Sequence, residues 1–235
     1  GCNKCERERL MRRMKHFCFF GKSSSVRYSV LFFLSFSLAL LLKPSKGFSM
    51  MAEGAPTRPI TWTIAGSDSG GGAGIQADLH AFQTLGTHGC SVVTALTAQN
   101  SKAVTHIQYA SEENLRASLA ALDEDLPAKA IKLGMLGTES VINVVAEYLE
   151  GLGGPGAGPP VVVDPVMIST SGSRLLDAAA EAALVARVFP RAAVLTPNRH
   201  EAQALLGGPA AAPLEGAADV ERAALRLLAL GPRSV

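Results

Sequence analysis

The sequence predicts an α/β protein, a three-layer α/β/α sandwich built on a mainly parallel sheet. Three observations predict it. From Thr61 onward, short β-branched or apolar runs alternate with segments of helical period, the alternation that builds parallel sheets through crossover helices. The stretch Thr61–Asp78, TWTIAGSDSGGGAGIQAD, reads in one piece as strand, glycine turn and helix. Asp78, Gln99, Met135, Asp164 and Asn198 all fall just beyond predicted strands or their turns, where open α/β sheets bind ligands.

Each element has its own signal. Thr61 to Ile64 is β-branched and aromatic, and the glycines from Gly66 to Gly74 allow positive φ and a close ligand approach. The N–H groups of the following helix start offer a site for a polar or anionic group. In that helix Ile75, Ala77, Leu79, Phe82 and Leu85 share one face, and Gly86 and Gly89 end it. Cys90 to Thr97 is a buried-strand candidate, and Val104 to Ala110 a second short one. Ser111 caps a helix with Glu112 and Glu113 in its first turn and Leu115, Leu119 and Leu122 on one face. Ala130 to Leu136 reads as a strand, and Thr138 caps a helix running to about Glu150. Gly151 to Pro160 is a Gly/Pro linker, and Val161 to Pro165 is a buried strand ending in a carboxylate. A helix over Asp177 to Val188, a strand over Ala192 to Pro197, a helix over Glu201 to Leu206 capped by Asn198, and a last helix over Gly216 to Leu230 complete the pattern. Gly231 to Val235 reads as a helix end and the first residue of another strand, so the domain is expected to be C-terminally incomplete.

The net charge of +2 over 235 residues hides an asymmetry. Residues 1–52 carry ten Lys or Arg against Glu6 and Glu8, while the remainder holds 12 basic and 18 acidic residues. The globular part is therefore mildly acidic and lacks the basic stripe that nucleic acid requires. Residues 1–57 form a separate leader: a basic flank, an apolar run from Tyr28 to Leu42 and small polar residues, the anatomy of a targeting peptide. The run is short of the roughly 20 apolar residues of a stable membrane span. No acid occurs between Arg9 and Ala52, and several serines do, which suits a plastid or other organelle transit segment. A secretory-type signal fits as well. A start at Met50 or Met51 leaves a cytosolic protein without the leader. Residues 58–235 form the domain. Cys2, Cys5 and Cys18 lie in the leader and only Cys90 in the body, so no disulfide framework exists there. Cys2-x-x-Cys5 has no second pair or His cluster to complete a zinc site.

Two common nucleotide signatures fail. The P-loop pattern is absent, and the loose dinucleotide pattern Gly72-Ala73-Gly74 lacks its acid about 20 residues on, because no Asp or Glu occurs between Asp78 and Glu112. His80, His88, His106 and His200 are scattered, and no Ser-His-Asp order or metal-ligand spacing emerges.

The ordered strings AGSDSGGGAGIQADL, GTHGCSVVTALTAQNS, IKLGMLGT, VVVDPVM, SGSRLL and TPNRHEA resemble the hydroxymethylpyrimidine/phosphomethylpyrimidine kinases of thiamine biosynthesis, members of the ribokinase-like superfamily. The resemblance covers about Pro59 to Val235. It implies a ribokinase-like fold and ATP- and Mg2+-dependent phosphorylation of 4-amino-5-hydroxymethyl-2-methylpyrimidine, then of its monophosphate. It further implies a pyrimidine site among Ala73, Asp78, Gln99 and Met135. An Asp carboxylate and a Gln amide pair the edge of an aminopyrimidine directionally, and Met135 supplies a polarizable contact for a flat ring. Helix-dipole complementation by Asp78 and core packing by Met135 are the structural alternatives. The same resemblance puts Asp164, Asn198 and Glu201 near the ATP phosphates, with Asp164 and Glu201 near Mg2+, a cation that takes few protein carboxylates. Asn198 and Glu201 also fit a helix cap with its N3 acid.

One departure matters. The family's Lys-Gly-Gly turn and Gly-Thr-Gly-Cys anion hole, with its proposed catalytic Cys, do not occur in these 235 residues. No catalytic residue is therefore assigned, and residues 1–235 alone are expected to bind pyrimidine weakly and not turn it over. A pyridoxal kinase and an inactive ligand-binding remnant are the alternative readings. The family often dimerises, and some relatives carry a thiamine-phosphate synthase fused downstream.

Overall fold

The computed structural model describes residues 58–167, 176, 178–207 and 213–235. The leader over 1–57, Ser171 to Leu175 of the SGSRLL string, and the predicted helix start at Asp177 lie outside the described residues.

Six strands make one sheet: β1 (Ile60–Asp68), β2 (His88–Gln99), β3 (Val104–Tyr109), β4 (Ala130–Leu133), β5 (Val161–Val163) and β6 (Val194–Leu195). Their spatial order is β3-β2-β1-β4-β5-β6, with every pairing parallel except that of β2 with β3. The helices are α1 (Gly74–Thr84), α2 (Glu112–Asp125), α3 (Glu139–Gly151), α4 (Ala178–Ala183), α5 (Arg199–Leu205) and α6 (Ala217–Leu228).

Alternation along the strands sorts side chains onto two faces. Trp62, Ile64, Ile131, Leu133, Val161 and Val163 point into the larger core, where Leu115 and Leu119 of α2, Val141 to Leu149 of α3 and Ala180 of α4 pack against them. Trp62 is fully buried, stacks on Tyr148 at 5.8 Å between ring centroids, and donates its indole N–H to the Leu126 carbonyl. Ala130, Val162 and Val194 face the other way, against Phe82, Leu79 and Leu85 of α1. Helices thus cover both faces, giving the expected three layers.

Several boundaries differ from the sequence expectation, each for a physical reason. β1 runs on to Asp68 instead of stopping before Gly66, because a bulge between Ala65 and Ser67 lets the strand keep its pairing with β2. β4 stops at Leu133, where Gly134 donates to the Ile64 carbonyl and the chain leaves the ladder. The buried face of α1 is Asp78, Ala81 and Phe82, whereas Ile75 and Ala77 are only half-buried. The segment after Ala178 is six residues of α-helix followed by a π-turn over Leu184–Val188 and a short 3-10 turn over Phe189–Arg191 containing Pro190. Pro190, which lacks an N–H, lies in that last turn, where the helical run as a whole stops. Beside β6, Arg233 donates its backbone N–H to the Ala192 carbonyl, and Leu195 donates to that of Ser234, so the segment after α6 lies along that strand. Among the described residues, no helix is long and apolar enough to cross a membrane.

Candidate active site

The glycine turn closes on itself. Asp68, nearly buried at the end of β1, accepts the backbone N–H of Gly70 on one carboxylate oxygen at 2.8 Å and those of Gly72 and Ala73 on the other at 3.0 and 2.9 Å. These three amides of the turn, up to the N-cap Ala73, are thus taken by the chain's own carboxylate. Gln76 fixes the turn from the helix side, accepting the Asp68 N–H and donating to the Ser67 hydroxyl. Gly74 adopts φ +56°, and a Cβ there would stand 2.3 Å from the Gly66 carbonyl oxygen. Only glycine fits that contact.

Around this turn three of the residues assigned to the pyrimidine come together. Ala73 is exposed, with its N–H committed to Asp68. Ser69 exchanges hydrogen bonds with the backbone of Gln99, donating its hydroxyl to the carbonyl at 2.6 Å and accepting the N–H at 2.8 Å. The Met135 methyl lies where a Cβ on Gly66 would meet it at 3.0 Å, and Met135 also packs with Ala95, Ile107 and Val166. Its carbonyl is pinned by the Thr94 hydroxyl at 2.6 Å. The core-packing role of Met135 and its place beside the turn thus coexist.

Asp78 sits deeper. It is 5% exposed, and its Oδ2 accepts both the Thr63 hydroxyl at 2.6 Å and the Lys132 ammonium at 2.9 Å. No hydrogen bond links it to Gln99 or Met135 among the described residues. Asp78 is therefore a buried ion-pair member and not simply a carboxylate complementing a helix dipole. Removing one partner of such a pair leaves an uncompensated buried charge, at a cost of about 3–5 kcal/mol. Burial alone would lower the Lys132 pKa; Asp78 first and then Asp164, with the Asp78 hydrogen bond, reverse this and hold it above the ordinary lysine value.

Asp164 follows β5, and Asn198 and Glu201 follow β6. Asn198 and Glu201 form a reciprocal cap on α5: the Asn198 side chain accepts the His200 and Glu201 N–H groups, and Glu201 accepts the Asn198 N–H at 2.8 Å. Burial pushes the Glu201 carboxyl up to about 7, the nearby Asp164 pushes the same way, and hydrogen bonds from Asn198 and Met167 pull against them. Burial also raises Asp164, with Lys132 lowering it and Asp78 raising it. Two buried carboxylates that repel each other gain from a cation between them. No group of three or more potential metal ligands occurs among the described residues. Two carboxylates suffice for Mg2+, which completes its shell with water and phosphate oxygens, so the residues present fit that ion.

Sequence reasoning missed Lys132, Thr63 and Asp68. Lys132 had a signal: it is the one charge in the otherwise uncharged strand run Ala130 to Leu136. Thr63 and Asp68 gave none, since β-branched residues and turn aspartates occur in any strand and turn.

Comparison with known proteins gives the family. The family model described as phosphomethylpyrimidine kinase matches residues 68–235. A hydroxymethylpyrimidine/phosphomethylpyrimidine kinase from Synechococcus elongatus is 45% identical over 75% of this chain and 64% of its own length. A probable thiamine biosynthetic bifunctional enzyme, chloroplastic, from Oryza sativa subsp. japonica is 39% identical over 79% of this chain and 33% of its own. The chain thus spans less than two thirds of the curated relatives' length. Among solved structures, phosphomethylpyrimidine kinase from Clostridium difficile 630 superposes with a TM-score of 0.66 at 40% identity, covering 74% of this chain and 72% of that one. A Staphylococcus aureus pyridoxal kinase in complex with AMP-PCP and pyridoxal gives 0.63 at 32% identity, over 76% and 61%. With a family model over residues 68–235 and a solved relative that superposes at a TM-score of 0.66, the chain belongs to the phosphomethylpyrimidine kinase family.

Proposed function

We propose that the protein phosphorylates 4-amino-5-hydroxymethyl-2-methylpyrimidine, and then its monophosphate, with ATP and Mg2+ in thiamine synthesis. The carrying observation is a line of buried charged groups near the carboxyl ends of the central strands: the Asp78–Lys132 ion pair beside β1 and β4, then the mutually repelling carboxylates Asp164 and Glu201 after β5 and β6. On this reading Ala73, Gln99, Met135 and Asp78 hold the pyrimidine. Asp164 and Glu201 hold Mg2+, and Asn198 fixes Glu201 beside the phosphates. Mg2+ would supply charge neutralisation at the transferred phosphoryl group. A buried carboxylate acceptor suits an exocyclic amino group, which donates. The S. aureus relative bound to pyridoxal supports pyridoxal as the second substrate to test.

The assay is ATP-dependent phosphate transfer to the pyrimidine and, in parallel, to pyridoxal, using residues 1–235 and the product of the native transcript. Transfer to the pyrimidine in preference to pyridoxal is expected from the native product. Transfer to pyridoxal alone, or to neither, overturns the reading. A plastid setting and a fused second thiamine enzyme belong to the same proposal, and the rice relative described as bifunctional and chloroplastic supports both. A fluorescent protein fused after residue 57 that stays in the cytosol removes the first, and a native transcript with no second coding region removes the other.

A further inference from the structure

Where the ladder between β1 and β2 runs out, side chains take over from the backbone. Its last register pair is Asp68 with Thr97. The Thr97 hydroxyl reaches back to the Ser67 carbonyl at 2.8 Å. The Ser69 hydroxyl reaches forward to Gln99, donating to its carbonyl at 2.6 Å and accepting its N–H at 2.8 Å. A hydroxyl donates and accepts at once, so this one side chain does for Gln99 what a strand neighbour would. On its other side Gln99 pairs with Val104 of β3, across a register shift. Gly70 brings the turn against the same point: a Cβ there would stand 3.4 Å from the Gln99 carbonyl oxygen and 3.5 Å from Asn100 Cα.

The clasp joins two walls that are open to solvent. Ser69, Gly70, Gly72 and Ala73 are exposed and Gln99 is half-buried, so a small molecule can reach both sides. The amide oxygen of Gln99 sits 3.4 Å from the Thr97 hydroxyl, a long contact that restrains the side chain little. The direction of that amide therefore depends on where its backbone is held. Both Ser69 bonds lie at the surface, where water replaces a lost partner at little net cost. Their contribution is to geometry more than to stability.

We propose that Ser69 is a positioning residue for the pyrimidine: by clasping the Gln99 backbone to the glycine turn, it aims the Gln99 amide at the ring edge and fixes the spacing between Gln99 and Ala73. The proposal rests on the kinase reading above, in which Gln99 and Ala73 hold the pyrimidine. The residues assigned to ATP and Mg2+ follow β5 and β6, which β1 and β4 separate from β2 in the sheet. Loss of the clasp should therefore be felt by the pyrimidine and not by ATP.

The test is steady-state kinetics on the product of the native transcript, as wild type, Ser69→Ala and Ser69→Thr, with amide exchange at Gln99 followed in each. Ser69→Ala is expected to speed exchange at the Gln99 amide and to raise the KM for the pyrimidine about 3- to 10-fold, the size of one neutral hydrogen bond. The KM for ATP and kcat should move by less than about twofold, the pattern of lost ground-state binding. Ser69→Thr keeps the hydroxyl and should restore both the slow exchange and the pyrimidine KM. Equal rises in both KM values are what a merely structural serine gives, and they overturn the proposal. An unchanged pyrimidine KM, unchanged exchange at Gln99 in Ser69→Ala, or a Ser69→Thr that behaves like Ser69→Ala overturns it as well. Wild type that phosphorylates neither the pyrimidine nor pyridoxal overturns the kinase reading and this proposal with it, a failure visible before any variant is compared.

Discussion

Glu201 illustrates how a single side chain carries two demands. Its carboxylate closes the α5 cap by accepting the Asn198 N–H, yet burial and Asp164 hold its pKa up at about 7 against an ordinary 4.5. A folded-state pKa raised in this way means that the folded protein binds the proton more tightly than the unfolded chain. The resulting stability is fully present below about pH 4.5 and is lost as pH rises through about 7. Its full amplitude is on the order of a few kcal/mol. Glu201→Gln keeps the acceptor for Asn198 and removes the titration, so urea unfolding measured across this window should lose that part of its pH slope. An unchanged slope assigns the dependence elsewhere. At this scale the sequence was legible where residue type and local spacing suffice: the Asn198 and Glu201 cap is visible as a pair three residues apart. Lys132 was legible only as a lone charge in an apolar run and Thr63 not at all, because their common partner Asp78 lies 54 and 15 positions away, and no local pattern encodes that register.

The junction of β1 with α1 behaves as one unit, held by the Asp68 carboxylate. Asp68→Ala would strand three backbone donors, those of Gly70, Gly72 and Ala73. The loss should be roughly 3 kcal/mol in unfolding free energy, softened by water reaching the exposed part of the turn. Faster amide exchange at these three residues, with α2 and α3 unaffected, is the accompanying signature; unchanged exchange rates in the turn would refute the role given to Asp68. Element by element, the strand-turn-helix reading of Thr61 to Asp78 and the caps at Ser111 and Thr138 were accurate. The caps are readable because a hydroxyl three residues before a free N–H is a local arrangement. The buried face of α1 was misjudged because an apolar-periodicity rule assigns aspartate to solvent, and here a lysine from β4 accepts it into the interior. The π-turn over Leu184–Val188 likewise has no local signature in an Ala- and Leu-rich run.

Across the whole molecule, protection should follow sheet position. β1 and β4 are central, paired on both sides and covered on both faces, whereas β3 is an antiparallel edge strand with mostly exposed residues. Native-state hydrogen exchange is expected to be slowest in β1 and β4 and fastest in β3; a β3 that exchanges with the centre would contradict this order. The parallel topology was legible because crossover helices separate β1, β2, β4, β5 and β6 in the sequence. The antiparallel turn of β3 was not assigned a direction, since a four-residue link signals only that a strand follows. The sequence's single tryptophan adds a practical property. Trp62 points into the α2/α3 side of the sheet, while its neighbour Thr63 turns to Asp78 on the opposite side. Its emission should therefore be blue-shifted and largely blind to occupancy of the proposed site around Asp78, yet should redden as soon as β1 leaves the sheet. The molecule carries an internal optical gauge of its own integrity, one that separates a variant that has lost its ligand from a variant that has lost its shape.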